Sequence, residues 1–579
     1  MKRTAKKDRR RGAKPARAAA PADQATLRSA RWLVPALIGI STFIAFLPAL
    51  QNGFVNWDDW KNLLENPNYR GLGWTELRWM FSTFYMGHYQ PLSWMTLGLD
   101  YLLWGTGPFG YHLTSLLLHA ANAALFYFLT LRLLSLSTAS AAGGLPVRIA
   151  AGFSALLFAM HPLRVESVAW VTERRDVLSG LFFLLTVLCY LKAVTGEKRD
   201  FARRMSLALV VYGLSLLSKA AGMTLPLVLL VLDIYPLRRL GGGPERWFGP
   251  ECRRVWWEKM PFVLLAGACA LAALLAQREV GALRTLERYD VPYRLAQALF
   301  GLVFYLWKSL IPLGLSPLYE APFYFNLSAR IFFLSAVIVL GLSIALWCAR
   351  RSWPAGLASW VYYLLLLAPV LGFAQSGPQL VADRYSYLSC LGWAVLAGAG
   401  LLHGWRAWVS GRIGREYFFV AVGMAGLVPV GLGALTWKQV QVWHDSERLW
   451  RRVLLVTPES SFGQNNLGDL LSQRGELREA MERVRYALKL NPRFAEAHYN
   501  LGNILYMRGE LDEAMRHYRE AVGIRPGYAE ARYNLGVVLA RRGELDEAVG
   551  YYREALRIQP GFAAAEQALS QALSQRAKR

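Results

Sequence analysis

Acidic residues are scarce in this 579-residue chain: 40 Asp and Glu stand against 65 Lys and Arg, for a formal net charge of +25. Charged residues of both signs make up only 18% of it and apolar residues 54%, a balance that soluble proteins of this length do not keep. Nucleotide signatures are missing too. There is no P-loop, no dinucleotide Gly motif set between a strand pattern and a helix, and no His-x-x-x-His pair, so ATP-driven transport and soluble nucleotide chemistry have no support. The five cysteines (Cys189, Cys252, Cys269, Cys348 and Cys390) fall in or beside apolar segments at no metal spacing. Neither a zinc site nor a disulfide framework is indicated.

What is present is a succession of apolar runs long enough, or nearly so, to cross ~30 Å of hydrocarbon. They lie near 32–50, 112–134, 150–168, 177–194, 205–219, 224–237, 261–277, 296–316, 331–349, 355–372, 386–403 and 417–436. The segment 1–31 is rich in Lys and Arg, with only Asp8 and Asp23 opposing them and no interleaved aromatics. It reads as a disordered cytoplasmic tail that attracts anionic lipid, with no nucleic-acid partner. The connections 198–204, 238–259, Arg350-Arg351 and 406–415 are basic as well, which makes them cytoplasmic by the positive-inside rule. Twelve crossings would return the C-terminus to the cytoplasm, against the charge of the last loop. About eleven spans are expected, with the N-terminus inside and the C-terminus outside, and the 224–237 and 296–330 regions are the two suspects. A large outer loop, 51–111, contains Trp-rich amphipathic segments suited to the interface.

Acids reappear at the ends of these runs, where keeping charge is expensive. Asn56-Trp57-Asp58-Asp59-Trp60 follows the first run; adjacent carboxylates framed by Trp suit a base whose pKa is set by partial desolvation, or a helix cap. His161-Pro162-Leu163-Arg164-Val165-Glu166-Ser167 and Glu173-Arg174-Arg175-Asp176 link two runs. His161 and Glu166 are five apart and share no helix face, so they make a poor metal pair. Glu166 suits a sugar or acceptor hydroxyl, and Arg174 or Arg175 a phosphate. Lys219, after Ser218, and Arg384, in Asp383-Arg384-Tyr385, are candidates for the same phosphate, Arg bidentately, or else cations snorkelling at helix ends.

The C-terminal part repeats. Pro458, Pro492, Pro526 and Pro560 are 34 residues apart; Asn-Leu-Gly recurs at Asn466, Asn500 and Asn534, and Gly-Glu-Leu at Gly475, Gly509 and Gly543. Period, Gly, Ala and Pro together resemble tetratricopeptide repeats. Asn466, Asn500 and Asn534 fall on the first helix of each repeat, where an amide holds either a peptide backbone or the repeat packing.

The Asp pair in the first outer loop resembles that of GT-C glycosyltransferases. The stretch from Leu157 to Trp170, ending in Arg174-Arg175-Asp176-Val177-Leu178, is similar to a segment of the transmembrane-and-tetratricopeptide O-mannosyltransferases. So are Ser218-Lys219-Ala220-Ala221-Gly222-Met223-Thr224 and Val381-Ala382-Asp383-Arg384-Tyr385-Ser386-Tyr387-Leu388. The order of parts, spans then repeats, matches, although Ala220 stands where the family has Glu after Lys, and the repeats are fewer than in animal members. The resemblance implies an all-α fold: a polytopic GT-C membrane domain over 32–436, a connecting helix or half repeat over 437–457, and a tetratricopeptide solenoid over 458–579.

It also implies a glycosyltransferase using a polyprenyl-phosphate sugar, mannose first among the sugars, on Ser or Thr of a protein acceptor presented by the repeats. By carry-over Asp58 deprotonates the hydroxyl with inversion at the anomeric carbon. Asp59 and Glu166 orient hydroxyls, with His161 and Trp57 in the same substrate contact. Arg384, Lys219, Arg174 and Arg175 stabilise the phosphate. A bacterial-type member would sit in the inner membrane with its active site and repeats in the periplasm. No cofactor follows from the residues, and GT-C members differ in their use of a divalent ion. The alternatives are a non-catalytic membrane-anchored repeat scaffold, which leaves the acids at span ends without a purpose, and a polysaccharide flippase or polymerase.

Overall fold

The computed structural model describes residues 24–138, 144–240, 247–279, 281, 290–321, 330–372 and 377–578, with side chains from residue 32 onward. Of the basic tail expected at 1–31, residues 1–23 lie outside them. The described chain is helical apart from a two-stranded antiparallel ribbon, Tyr319–Glu320 with Gln379–Val381, in which Tyr319 faces Val381.

Six helices are long and apolar enough to cross a membrane, two bent helix pairs qualify as well, and three shorter apolar helices join them. These segments coincide with eleven of the twelve apolar runs. The exception is 296–316, where the amphipathic helix Val291–Leu310 carries Arg294, Gln297 and Lys308. The two bends place chemistry. Leu145–Ala159 turns by 56° into Pro162–Ala169. Pro162 cannot continue the first helix but starts the next, and His161 Nδ1 caps that start by accepting from the Leu163 N–H at 3.2 Å. Asp383–Ser389 turns by 53° into Leu391–Val409. Glu166 and Arg384 lie on the short arms of these two bends. The outer loop contains the helices Trp74–Ser82 and Pro91–Trp104 and a core of its own around Leu63, Tyr69, Met80 and Trp94.

Helix Ser446–Val456 leads from the last long apolar helix into three antiparallel helix pairs and the terminal helix Ala563–Lys578. Each second helix ends two residues before the recurring Pro, at Leu490, Ile524 and Ile558. The recurring Gly of Asn-Leu-Gly is where paired helices approach most closely: a Cβ on Gly502 would stand 2.6 Å from the Tyr518 ring, and one on Gly536 equally close to Tyr552.

The repeats are seated on the outer loop. Asn56 accepts from Trp450 Nε1 at 2.7 Å and donates its N–H to Ser446 Oγ at 2.8 Å. Trp57 stacks on Trp450 with ring centres 4.9 Å apart. From the ribbon, Glu320 accepts from Ser460 Oγ at 2.6 Å and from the Phe462 N–H at 3.1 Å.

Candidate active site

The seat just described fixes the turn that carries the two aspartates, and adjacent side chains there diverge. Asp59 points inward and is 1% exposed. Its carboxylate accepts from the Val55 N–H at 3.2 Å, the Thr172 N–H at 3.0 Å and Thr172 Oγ at 2.6 Å. Burial outweighs these bonds and pushes its pKa up to about 7. Asp59 is thus a brace between the outer loop and the start of the next helical segment. Asp58 is partly exposed, and its carboxylate makes no hydrogen bond or ion pair among the described residues. Desolvation raises its pKa, opposed by the Arg175 and Arg384 guanidiniums and the Lys61 ammonium and reinforced by Glu173.

Those charges belong to one buried cluster. Its hub is Glu173, fully buried, which accepts from Arg175 Nη2 at 2.6 Å and Nε at 3.1 Å and from Lys219 Nζ at 2.7 Å. Arg384 Nε lies 3.4 Å from the same carboxylate. Lys219 also reaches Asp176 at 2.7 Å, and Asp176 accepts from Ser167 Oγ at 3.1 Å. Glu166 takes the Arg384 N–H at 2.8 Å and pairs with its guanidinium. That guanidinium lies over the Trp170 ring, 5.5 Å from its centre. Lys219 and Arg384 remain the most accessible of the cations, with side chains 20% and 12% exposed.

The other expected site residues are engaged elsewhere. Arg174 is buried in an ion pair with Asp100 and donates to the Tyr111 carbonyl at 2.5 Å and the Thr96 carbonyl at 3.3 Å. His161 serves as the cap described above, with Nε2 3.2 Å from the Ser309 carbonyl. Trp57 is wedged between Trp450 and Trp170, a joint between loop and repeats. Asn466 donates to the Phe462 carbonyl of its own helix at 2.8 Å; Asn500 and Asn534 donate to Asn465 and Asn503 of the preceding repeats at 3.0 and 2.8 Å. Asn500 and Asn534 thus tie neighbouring repeats together, and both also line the solenoid's cavity. Among the described residues no three His, Cys, Asp or Glu side chains are grouped to hold a metal ion.

Two participants lay outside the candidates. Glu173 stood in plain sight beside Arg174, and an acid at a span end is the signal that picks it out. His88, from the outer loop, faces the same cations; burial together with Arg175, Lys219 and Arg384, against the opposing pull of Glu173, holds its pKa well below the ordinary value. A lone His in a loop gives no signal of this in the sequence.

The fold and site define a class: a polytopic helical membrane protein whose carboxylate-and-cation site lies beside a docked tetratricopeptide solenoid. The tetratricopeptide repeat model matches residues 465–529, and a second such model 505–573. The human protein O-mannosyl-transferase TMTC1 is 25% identical over 511 residues, covering 79% of this chain and 55% of that one. Drosophila melanogaster Tmtc3, also a protein O-mannosyl-transferase, is 24% identical over 466 residues, covering 69% of this chain and 48% of the other. The crystal structure of MamA is 30% identical over 23% of this chain and 77% of its own, with a TM-score of 0.22. The chain spans about half the length of the curated relatives it matches. Over most of its length it is thus similar to transmembrane-and-tetratricopeptide O-mannosyltransferases.

Proposed function

We propose that the chain is an inverting glycosyltransferase that moves a sugar, mannose, from a polyprenyl phosphate to a Ser or Thr hydroxyl of a protein segment carried by the repeats. The observation that carries this reading is Asp58: an unpaired carboxylate of raised basicity, between a buried cation cluster and the repeats. In the transfer, Asp58 takes the acceptor hydroxyl proton while the oxygen attacks the anomeric carbon. The bond from that carbon to the phosphate oxygen breaks on the opposite face, and the polyprenyl phosphate leaves with the electron pair. Lys219 and Arg384 stabilise the growing phosphate charge, and Glu173 and Glu166 hold those cations in place beforehand. Arg174, taken up by Asp100, is left out of this role.

Two further observations support the reading. An apolar cleft lined by Phe183, Val187, Val228, Leu391 and Val395 suits a prenyl chain. The helices Arg174–Thr195, Leu225–Ile234 and Leu391–Val409 all run away from the site and end at the basic connections 198–204, 238–259 and 406–415. Positive-inside logic then puts the site and the repeats in the periplasm of a bacterial cell. The test is transfer from radiolabelled polyprenyl-phosphate mannose to secreted protein by the purified chain in detergent. Transfer by the wild type that Asp58→Asn abolishes supports the reading; equal transfer by both overturns it.

A further inference from the structure

Between the repeats and the outer loop lies a cavity of about 870 Å³. Repeat helices form one wall. Lys61 and Glu65, in and just after the turn Trp60–Leu64, form the other. Lys61 is near enough to Asp58 for its ammonium to favour the charged carboxylate, so this wall adjoins the proposed base.

The ionisable lining is four carboxylates, Glu65, Asp469, Glu496 and Glu530, against two cations, Lys61 and Arg525. Arg525 is paired with Glu496. Asp469 accepts only from Gln473 on its own helix, at 3.0 Å, and Glu65 and Glu530 have no ion-pair partner among the described residues. One free cation therefore faces three free carboxylates, in a chain whose net charge is +25. Tyr528 already carries the Arg525 guanidinium, 4.9 Å from its ring centre, and Tyr499, 5.1 Å from Tyr528 between ring centres, adds an aromatic face on which a further guanidinium can lie.

We infer that this cavity takes an extended, basic segment of the protein acceptor, its Lys or Arg side chains among the repeat carboxylates while a neighbouring Ser or Thr reaches Asp58. That the segment is an acceptor rests on the transferase reading; its basic character follows from the cavity itself.

The probes are fluorescein-labelled peptides of equal length, each with one central Thr flanked by Lys and Arg, by Asp and Glu, or by Gln. Binding to the full chain in detergent is followed by fluorescence polarisation, and mannose transfer to the same peptides is measured in parallel. The basic peptide should bind about tenfold tighter than the acidic one, and added salt should narrow the gap. The double variant Glu65→Gln, Glu530→Gln changes only exposed side chains, so it should fold normally and bind both peptides alike. Equal binding by the wild type, or a gap that survives in the double variant, overturns the inference. Basic-peptide preference without transfer to any peptide leaves the cavity assignment standing and removes the transferase reading. Transfer without preference does the reverse.

Discussion

Helix Arg174–Thr195 carries a buried charge cluster near each of its ends, and the two are built differently. At the far end, Tyr190 Oη reaches both oxygens of Asp233 at 2.7 Å, Lys259 lies 2.7 Å from one of them and Arg239 3.1 Å from the other. Arg239 in turn holds Glu258 at 2.6 Å. Arg254 pairs with Glu258 as well, at 3.1 Å, so two carboxylates meet three cations, and Asp233 is fully buried. At the near end Asp58, Glu166, Glu173 and Asp176 outnumber Arg175, Lys219 and Arg384, and the Asp58 carboxylate has no partner among the described residues. Burying and pairing charges is common to both ends. Among the described residues only the near end keeps an unpaired carboxylate, and this difference, more than ionisable residues or exposed cations as such, marks a site of chemistry.

The sharpest way to break the comparison is to neutralise the unpaired acid. Asp58→Asn removes no described hydrogen bond, so the thermal midpoint should hold while transfer falls about 100- to 10,000-fold, the range of a general base. The converse is Asp233→Asn at the closed cluster. It leaves Lys259 and Arg239 short of an anion and should cost roughly 3–5 kcal/mol of stability, read by thermal unfolding, yet transfer per folded molecule should be unchanged.

How far the sequence shows these differences depends on the range of the contacts. The apolar runs and the 34-residue repeat are local patterns, and the helices follow them, although the runs 150–168 and 386–403 are each bent in the structure. Glu166, Lys219 and Arg384 could be singled out because charges at span ends are costly. Pairing is not legible there, because it is long-range: Arg174 has the local setting of a phosphate ligand, and only the fold brings Asp100 against it. Composition and spacing do not separate Asp58 from Asp59 either; only the family resemblance singles out Asp58. Their divergence depends on Thr172 receiving one of them and on Ser446 and Trp450 anchoring the turn. Trp57, expected at the substrate, is instead the partner of a ring on the helix leading into the repeats.

A smaller effect separates the two aspartates themselves. The folded pKa of Asp59, about 7, lies above its ordinary 3.8, so between those values the folded chain holds a proton that the unfolded chain has released. Its contribution to stability is full below about pH 4 and is lost as pH rises through 7, at no more than about 1.4 kcal/mol per unit. Asp59→Asn should remove that slope from a pH series of unfolding midpoints; an unchanged slope would mean that Asp59 is not its source.

The most direct test sets the two ends side by side: mannose transfer per folded molecule for Asp58→Asn and Asp233→Asn, measured in one preparation series against wild type. The account predicts that the first loses at least about 100-fold with its fold intact, while the second keeps the wild-type rate despite a lower unfolding temperature. Comparable losses in both, or none in Asp58→Asn, would contradict it.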